Sequence, residues 1–187
     1  IRWRSTSHFM GNGYWAWIIP LASGHTSIGL VTHDTVHDPR HVMRHERVME
    51  FLREHEPVLA SHLEPREVLD FGCLRGYSHT VARAWSEDRW ALVGEAGAFV
   101  DPLYSPGTDF IALANGMTVE LIRGDRESAG DEAAQAELAA RVGFMNIQYR
   151  GLVSGAIDLF RQSAPVYGHR SAMSTKVFWD NFAYWSY

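Results

Sequence analysis

The chain has 187 residues, of which 46% are hydrophobic, 12% aromatic and 21% charged, and its formal net charge is -5. Such a composition builds a packed core and excludes disordered, collagen-like and coiled-coil proteins. No apolar run reaches the roughly 18 residues of a membrane-spanning helix, and an acidic balance offers no field for a nucleic-acid backbone. Cys73, the single cysteine, cannot close an internal disulfide, and no signal-peptide pattern is present, so a reducing, cytoplasmic setting is expected.

The first elements read as antiparallel strands: Ile1 to Phe9, a Gly11-Asn12-Gly13 turn, Tyr14 to Leu21, a Ser23-Gly24 turn, and Thr26 to Thr32. A chain that opens on Ile1, already in a strand pattern, is expected to be a piece of a longer protein. After Asp38-Pro39, residues Glu46 to Glu54 place Val48, Met49, Phe51 and Leu52 on a helical stripe, and Pro57 starts a second short helix through Ala60 and Leu63. Val68 to Tyr77 and His79 to Trp85 read as two further strands, and Trp90 to Val93 as a short strand buried on both faces. A small-residue loop from Gly94 to Pro102 follows, then a helix from about Thr108 to Arg123. Gly124 to Gly130 is linker-like, Asp131 caps a long amphipathic helix through Phe160, and Ser171 caps a last one carrying Val177, Phe178, Phe182 and Trp185. Three segments result: 1–87, β-rich with a helical insertion; 88–125, the glycine loop and its helix; and 126–187, helical.

Two constellations carry chemical possibilities. In Trp15-Ala16-Trp17-Ile18-Ile19-Pro20, Trp15 and Trp17 share one strand face, and Ala16 and Ile18 the other. The pair is either core lining or a rigid aromatic wall beside a planar ligand. The strand, glycine loop and helix start around Gly94 aim backbone N–H groups and a partial positive charge at an anion, with Glu95 able to accept bonds from sugar hydroxyls and Ser105, Gly107 and Thr108 opening the helix. The same pattern also serves close strand-to-helix packing, and it is not G-x-G-x-x-G.

Other arrangements carry less. His33, His37, His41 and His45 recur every fourth residue, but Pro39 breaks the helix that would line them up, so they read as solvent-facing and no metal site is expected. No nucleophile elbow is present. Lys176, the only lysine, reads as a surface side chain lying over aromatic faces.

Taken together, Trp15-Ala16-Trp17-Ile18-Ile19-Pro20 and Leu92-Val93-Gly94-Glu95-Ala96-Gly97-Ala98-Phe99-Val100-Asp101-Pro102-Leu103 resemble, in order, the W-x-W-x-I-P motif and the second FAD motif of the flavin-dependent halogenases, the family that includes the tryptophan halogenases. Gly13-Tyr14, Leu21 to Gly24 and Ser86 to Trp90 are similar as well. The resemblance covers most of residues 1–120. It implies an α+β chain forming part of a p-hydroxybenzoate-hydroxylase-like FAD-binding fold: an antiparallel substrate-domain sheet plus C-terminal helices. It also implies that reduced FAD, oxygen and a halide give hypohalous acid, which halogenates an organic, aromatic substrate, with a flavin reductase supplying the reduced cofactor.

By the same resemblance, Trp15 and Trp17 shield the flavin and tunnel; Ile19, Pro20, Gly94, Glu95, Ala96, Asp101, Pro102, Gly107 and Thr108 bind the cofactor; and Ser105, Gly107 and Thr108 face the halide. Glu95 stands for the family's usual aspartate, Pro106 lacks an N–H donor, and Tyr104 occupies the place of a catalytic glutamate in tryptophan halogenases. The catalytic lysine and the adenine-binding G-x-G-x-x-G belong upstream of the W-x-W motif, in sequence this chain does not contain. Two other readings are a related FAD monooxygenase or reductase, and a non-catalytic remnant or interaction module.

Overall fold

A computed structural model describes residues 4–184, and these form two compact units: residues 4–75 with 161–184, and residues 76–160. The expected strand residues Ile1 to Trp3 and the helical Trp185 lie outside the described residues.

In the first unit, β1 (Ser7–Gly11), β2 (Tyr14–Pro20) and β3 (Thr26–Thr32) form an antiparallel sheet in chain order. Gly13 and Gly24 take left-handed backbone at the two turns, with φ of 72° and 85°, where a side chain would be strained. Alternation along β2 sends Tyr14, Ala16 and Ile18 to one face and Trp15, Trp17 and Ile19 to the other. The first face is closed by α1 (His45–His55) and α2 (Pro57–Leu63), whose Met49, Leu52, Leu59 and Ala60 bury Ala16 completely. Tyr14 donates to Glu56 Oε1 at 2.9 Å, and burial followed by that bond pushes its phenol well above the usual range.

Asp38 caps a 3-10 turn at Pro39–Val42, its Oδ1 accepting from Arg40 N at 2.9 Å, so helix does not begin until His45. The four histidines therefore never line one helix, as Pro39 predicts, but only His41 is exposed, the other three being half-buried. His37 donates from Nε2 to the Asn12 carbonyl, 2.7 Å away, and packs edge-on to Tyr14, Phe51 and His55. Among the described residues no group of three or more His, Cys, Asp or Glu is placed to hold a metal.

The strand expected over Val68 to Tyr77 does not form. Residues 67–74 run without turn or bend, and none makes a backbone–backbone hydrogen bond among the described residues. Phe71 meets the His45 ring at 6.1 Å, while Leu69 and Leu74 are 62% and 78% exposed. The composition favours a strand, but a strand needs a neighbouring ladder, and none pairs with this stretch among the described residues. In the same unit, Ala164 to Tyr167 turn under the first hairpin: the Ala164 carbonyl accepts from Gly13 N at 2.9 Å. A Cβ on Gly168 would stand 2.7 Å from Asn12 N.

α5 (Arg170–Tyr184) is capped by His169, whose Nδ1 accepts from Ala172 N at 3.2 Å, rather than by Ser171, whose carbonyl instead takes a bond from the Thr175 hydroxyl. Lys176 is not a surface lysine: it pairs with Asp180, and the two side chains are only 10% and 11% exposed. Phe178, Trp179 and Phe182 of that helix stay exposed.

In the second unit, α3 (Gly107–Glu127) and α4 (Glu132–Ser163) carry apolar stripes of helical period, Phe110, Ala114, Met117, Leu121 on one and Leu138, Val142, Met145, Tyr149, Val153 on the other, packed around Trp85. Asp131 caps α4 as expected, with Oδ1 accepting from Ala133 N at 2.9 Å and Ala134 N at 3.1 Å. α3 runs on to Glu127, absorbing half of the linker-like stretch. β4 is only His79–Thr80, paired with β5, Ala98–Phe99. The expected His79 to Trp85 strand stops there, and Trp85 makes a single antiparallel bridge to Ala91. Trp90 to Val93 is not buried on both faces either, since Trp90 and Val93 are exposed. Arg83 lies over the Trp90 ring at 5.7 Å.

Candidate functional site

The candidate residues fall on both units, and each unit holds its set by different means. In the first, Trp15 and Trp17 lie side by side as alternation requires, ring centroids 5.3 Å apart and tilted by 42°. Their surroundings differ. Trp15 is 2% exposed, meets His8 edge-on at 5.5 Å and is a core residue; Trp17 is half-buried. Trp17 is paired across the sheet with His8 and Gly29, and its Nε1 donates to Ser27 Oγ at 3.2 Å. Ile19 and Pro20 end β2 opposite Ser27 and Thr26, both half-buried.

In the second unit the glycine loop is a sequence of tight turns. Gly94 is left-handed, φ 63°, and opens a 3-10 turn through Ala96. A Cβ on Gly94 would meet nothing within 4 Å, whereas one on Gly97 would stand 3.2 Å from the Leu92 carbonyl. Gly97 is thus the position of close backbone approach, and Gly94 the position of unusual backbone conformation. Glu95 and Ala96 are exposed.

Asp101 is 4% exposed, and its Oδ1 accepts from Leu103 N at 2.9 Å; the Pro102 carbonyl then accepts from Ser105 N at 2.9 Å. This side chain fixes the turn, an aspartate oxygen bonding the backbone two residues on. Tyr77 lies against Phe99, ring centroids 5.5 Å apart, and burial followed by the nearby Asp101 charge raises its phenol above the usual range, so it stays protonated. Tyr104 and Ser105 are consecutive left-handed residues, φ 69° and 59°. A non-glycine residue held there costs of order 1 to 3 kcal/mol, a cost that must be offset by surrounding contacts. Nothing in the sequence signals this pair.

The two left-handed residues deliver the chain to Pro106, which serves as N-cap of α3 with no side-chain capping bond. Asp109 N and Phe110 N bond the Pro106 carbonyl at 3.1 and 3.3 Å. The N–H groups of Gly107 and Thr108 have no partner among the described residues, and a Cβ on Gly107 would meet nothing within 4 Å. A 21-residue helix therefore begins with open donors and its positive dipole end uncapped.

Behind the loop stands a side chain that sequence reasoning missed. Asn146 of α4 accepts at Oδ1 from the N–H groups of Ala84 and Trp85, at 2.7 and 3.1 Å, and donates from Nδ2 to the carbonyls of Trp85 and Val142, both at 2.9 Å. Trp85 in turn donates from Nε1 to Thr118 Oγ1 at 2.8 Å, and its Ala84 neighbour's carbonyl accepts from Leu92 N at 2.8 Å. One amide thus fixes the bridge that leads into Gly94.

The chain is 27% identical over 183 residues to the flavin-dependent halogenase chlA of Dictyostelium discoideum, an alignment covering 97% of this chain and 30% of that protein. It is 32% identical over 125 residues to the flavin-dependent halogenase gsfI of Penicillium aethiopicum, covering 62% of this chain and 23% of that one. Among solved structures it is similar to a flavoprotein/dehydrogenase from Cytophaga hutchinsonii, with a TM-score of 0.52 and 20% identity, over 90% of this chain and 38% of the other. No family model matches. The chain spans less than a third of the length of these curated relatives.

Proposed function

From a chain that is flavin-dependent-halogenase-like in sequence and has the fold of part of a flavoprotein, we propose that it supplies the oxygen-activating part of an FAD-dependent oxidoreductase that halogenates a small organic, aromatic molecule. The observation that carries the reading is the turn leading into α3: a buried Asp101, two left-handed residues and a helix start with open N–H groups. Such a start suits the electron-rich edge of a reduced flavin, because aligned peptide dipoles favour negative charge there.

The residues fit the cofactor. The unfilled space at Gly94 and Gly107 leaves room for a ligand against the backbone, and the exposed Glu95 carboxylate is free to accept from ribityl hydroxyls. Ile19, Pro20, Ala96 and Pro102 complete the cofactor contacts in this reading. Bound reduced FAD would supply the electrons that activate oxygen. The chain's own residues do the rest: Asp101 holds the turn, Gly107 and Thr108 present donors, the Ser105 hydroxyl joins them on the halide side, and the half-buried Trp17 keeps organic substrate from the flavin. A flavin reductase is the partner that the reading requires.

A specific observation favours a second reading, a monooxygenase of the same fold that uses no halide. Pro106 offers no N–H at the helix start, and Asp109 in the first turn already complements the dipole. The mass of the product decides: the intact protein, given reduced FAD, oxygen and an aromatic substrate panel, forms a chlorinated or brominated product only when the halide is added. A hydroxylated product independent of halide establishes the second reading instead. Glu95→Ala is expected to weaken FAD binding by roughly 1 to 3 kcal/mol, read by equilibrium titration. Unchanged affinity removes Glu95 from the site.

A further inference from the structure

Trp15 and Trp17 are neighbours on one face, yet only Trp15 is fixed by burial. Trp15 stands between Met10 and Val31, residues with side chains of their own to pack against it. Trp17 is half-buried and faces Gly29, which has none. A Cβ on Gly29 would stand 1.9 Å from Trp17 Cζ2 and 2.0 Å from Cη2. The indole therefore occupies the volume that any other residue at 29 would fill; it lies down across β3 over bare backbone. Diagonally along the same strand, Ser27 Oγ accepts from the indole Nε1 at 3.2 Å. The glycine permits the ring's position, and the serine sets its rotation.

We propose that Ser27 and Gly29 are positioning residues that hold the Trp17 indole flat against the sheet and so determine what that ring shields. This rests on the reading of Trp17 as the residue that keeps organic substrate from the flavin. A cross-strand aromatic laid over a glycine is a known means of covering a site that lacks a side chain, and here it does more than cover. With one π-face against the Gly29 backbone, the half-buried ring has its other face to present. A ring standing upright, like a side chain in an ordinary strand, would present an edge instead. The device is absent at Trp15, so the two tryptophans of the motif are not interchangeable.

The indole N–H resonance of Trp17, assigned by its loss in Trp17→Phe, reports the arrangement in the intact, nitrogen-15-labelled protein. Gly29→Ala is expected to move that resonance and leave Trp15 in place. Ser27→Ala should speed exchange of the indole proton about fivefold, the worth of one neutral hydrogen bond, and Ser27→Thr should restore it. Ser27→Ala removes a single oxygen, so it remains informative if Gly29→Ala fails to fold. A Trp17 resonance and exchange rate unchanged in Ser27→Ala overturn the proposal. The same variants, assayed for the ratio of halogenated product to hydroxylated product and released peroxide, test the shield separately. A displaced indole with an unchanged ratio leaves the positioning role standing and refutes the shield.

Discussion

The β1–β3 sheet and the chain from Ala84 to Pro106 both hold backbone in fixed places, and they do so by opposite means. The sheet spreads the task over two ladders and 12 residue pairings, with Ala16 sealed beneath helices α1 and α2. The loop region concentrates it: Asn146 holds Ala84 and Trp85, Asp101 holds Leu103, and two left-handed residues turn the chain into α3. A ladder loses one rung at little cost, because its neighbours keep the register. A clamp made by one side chain has no neighbour to take its place. The loop and helix start of the proposed site thus depend on single residues for their geometry.

That contrast can be broken in order of expected effect. Asn146→Leu leaves the N–H groups of Ala84 and Trp85 and the Trp85 carbonyl without their partner, and should lower stability by at least about 3 kcal/mol at about 1 kcal/mol or more per stranded group. Thermal and denaturant unfolding read it; a loss under about 1 kcal/mol would mean that the region is not clamped from α4. Asp101→Ala frees Leu103 N and is expected to cost about 1 to 2 kcal/mol, with Asp101→Asn retaining most of the turn because it keeps an oxygen acceptor.

Ser105→Gly acts in the other direction. It relieves a left-handed residue and should raise stability by about 0.5 to 1 kcal/mol, while the looser turn weakens cofactor binding. No change in melting temperature would show that the strain at 105 is already offset.

The smallest effect belongs to the sheet. Burial lowers the pKa of His8, which stands edge-on to Trp15. The unfolded chain therefore takes up the proton first as pH falls, and stability declines below the ordinary histidine value of about 6.5. Because His8 is only partly desolvated, the slope is shallow, and His8→Gln should remove it from the pH–stability profile.

The sheet, α1, α2, α3 and α4 were legible because their apolar spacing and turn residues agree, and because each finds its partner within a few tens of residues. Pro57 and Leu63 bound α2 as the pattern predicts, and Asp131 caps α4. Residues 68–85 were not legible. Their composition favours strands, but extended backbone becomes a strand only when a ladder lies beside it. Of the candidate site, the common face of Trp15 and Trp17 could be read directly, whereas Asp101 entered only through the family resemblance. Gly29 under Trp17 was recoverable in principle: the turn at Ser23-Gly24 fixes the register that puts residue 29 opposite residue 17. The Asn146 clamp was not, since it joins positions 61 residues apart and one asparagine on a helix carries no signal of its partner.

The stretch from residue 67 to 74 has a consequence for handling the protein. Among the described residues its backbone donors and acceptors are unengaged by other backbone, and Val68, Leu69, Phe71 and Leu74 are exposed beside an exposed Cys73 thiol. That is a template on which like segments stack at high concentration, and oxidation would then lock neighbouring copies together through sulfur. A charged gatekeeper such as Leu74→Lys, at a side chain that is 78% exposed, is accordingly expected to lower self-association at high concentration, read by light scattering.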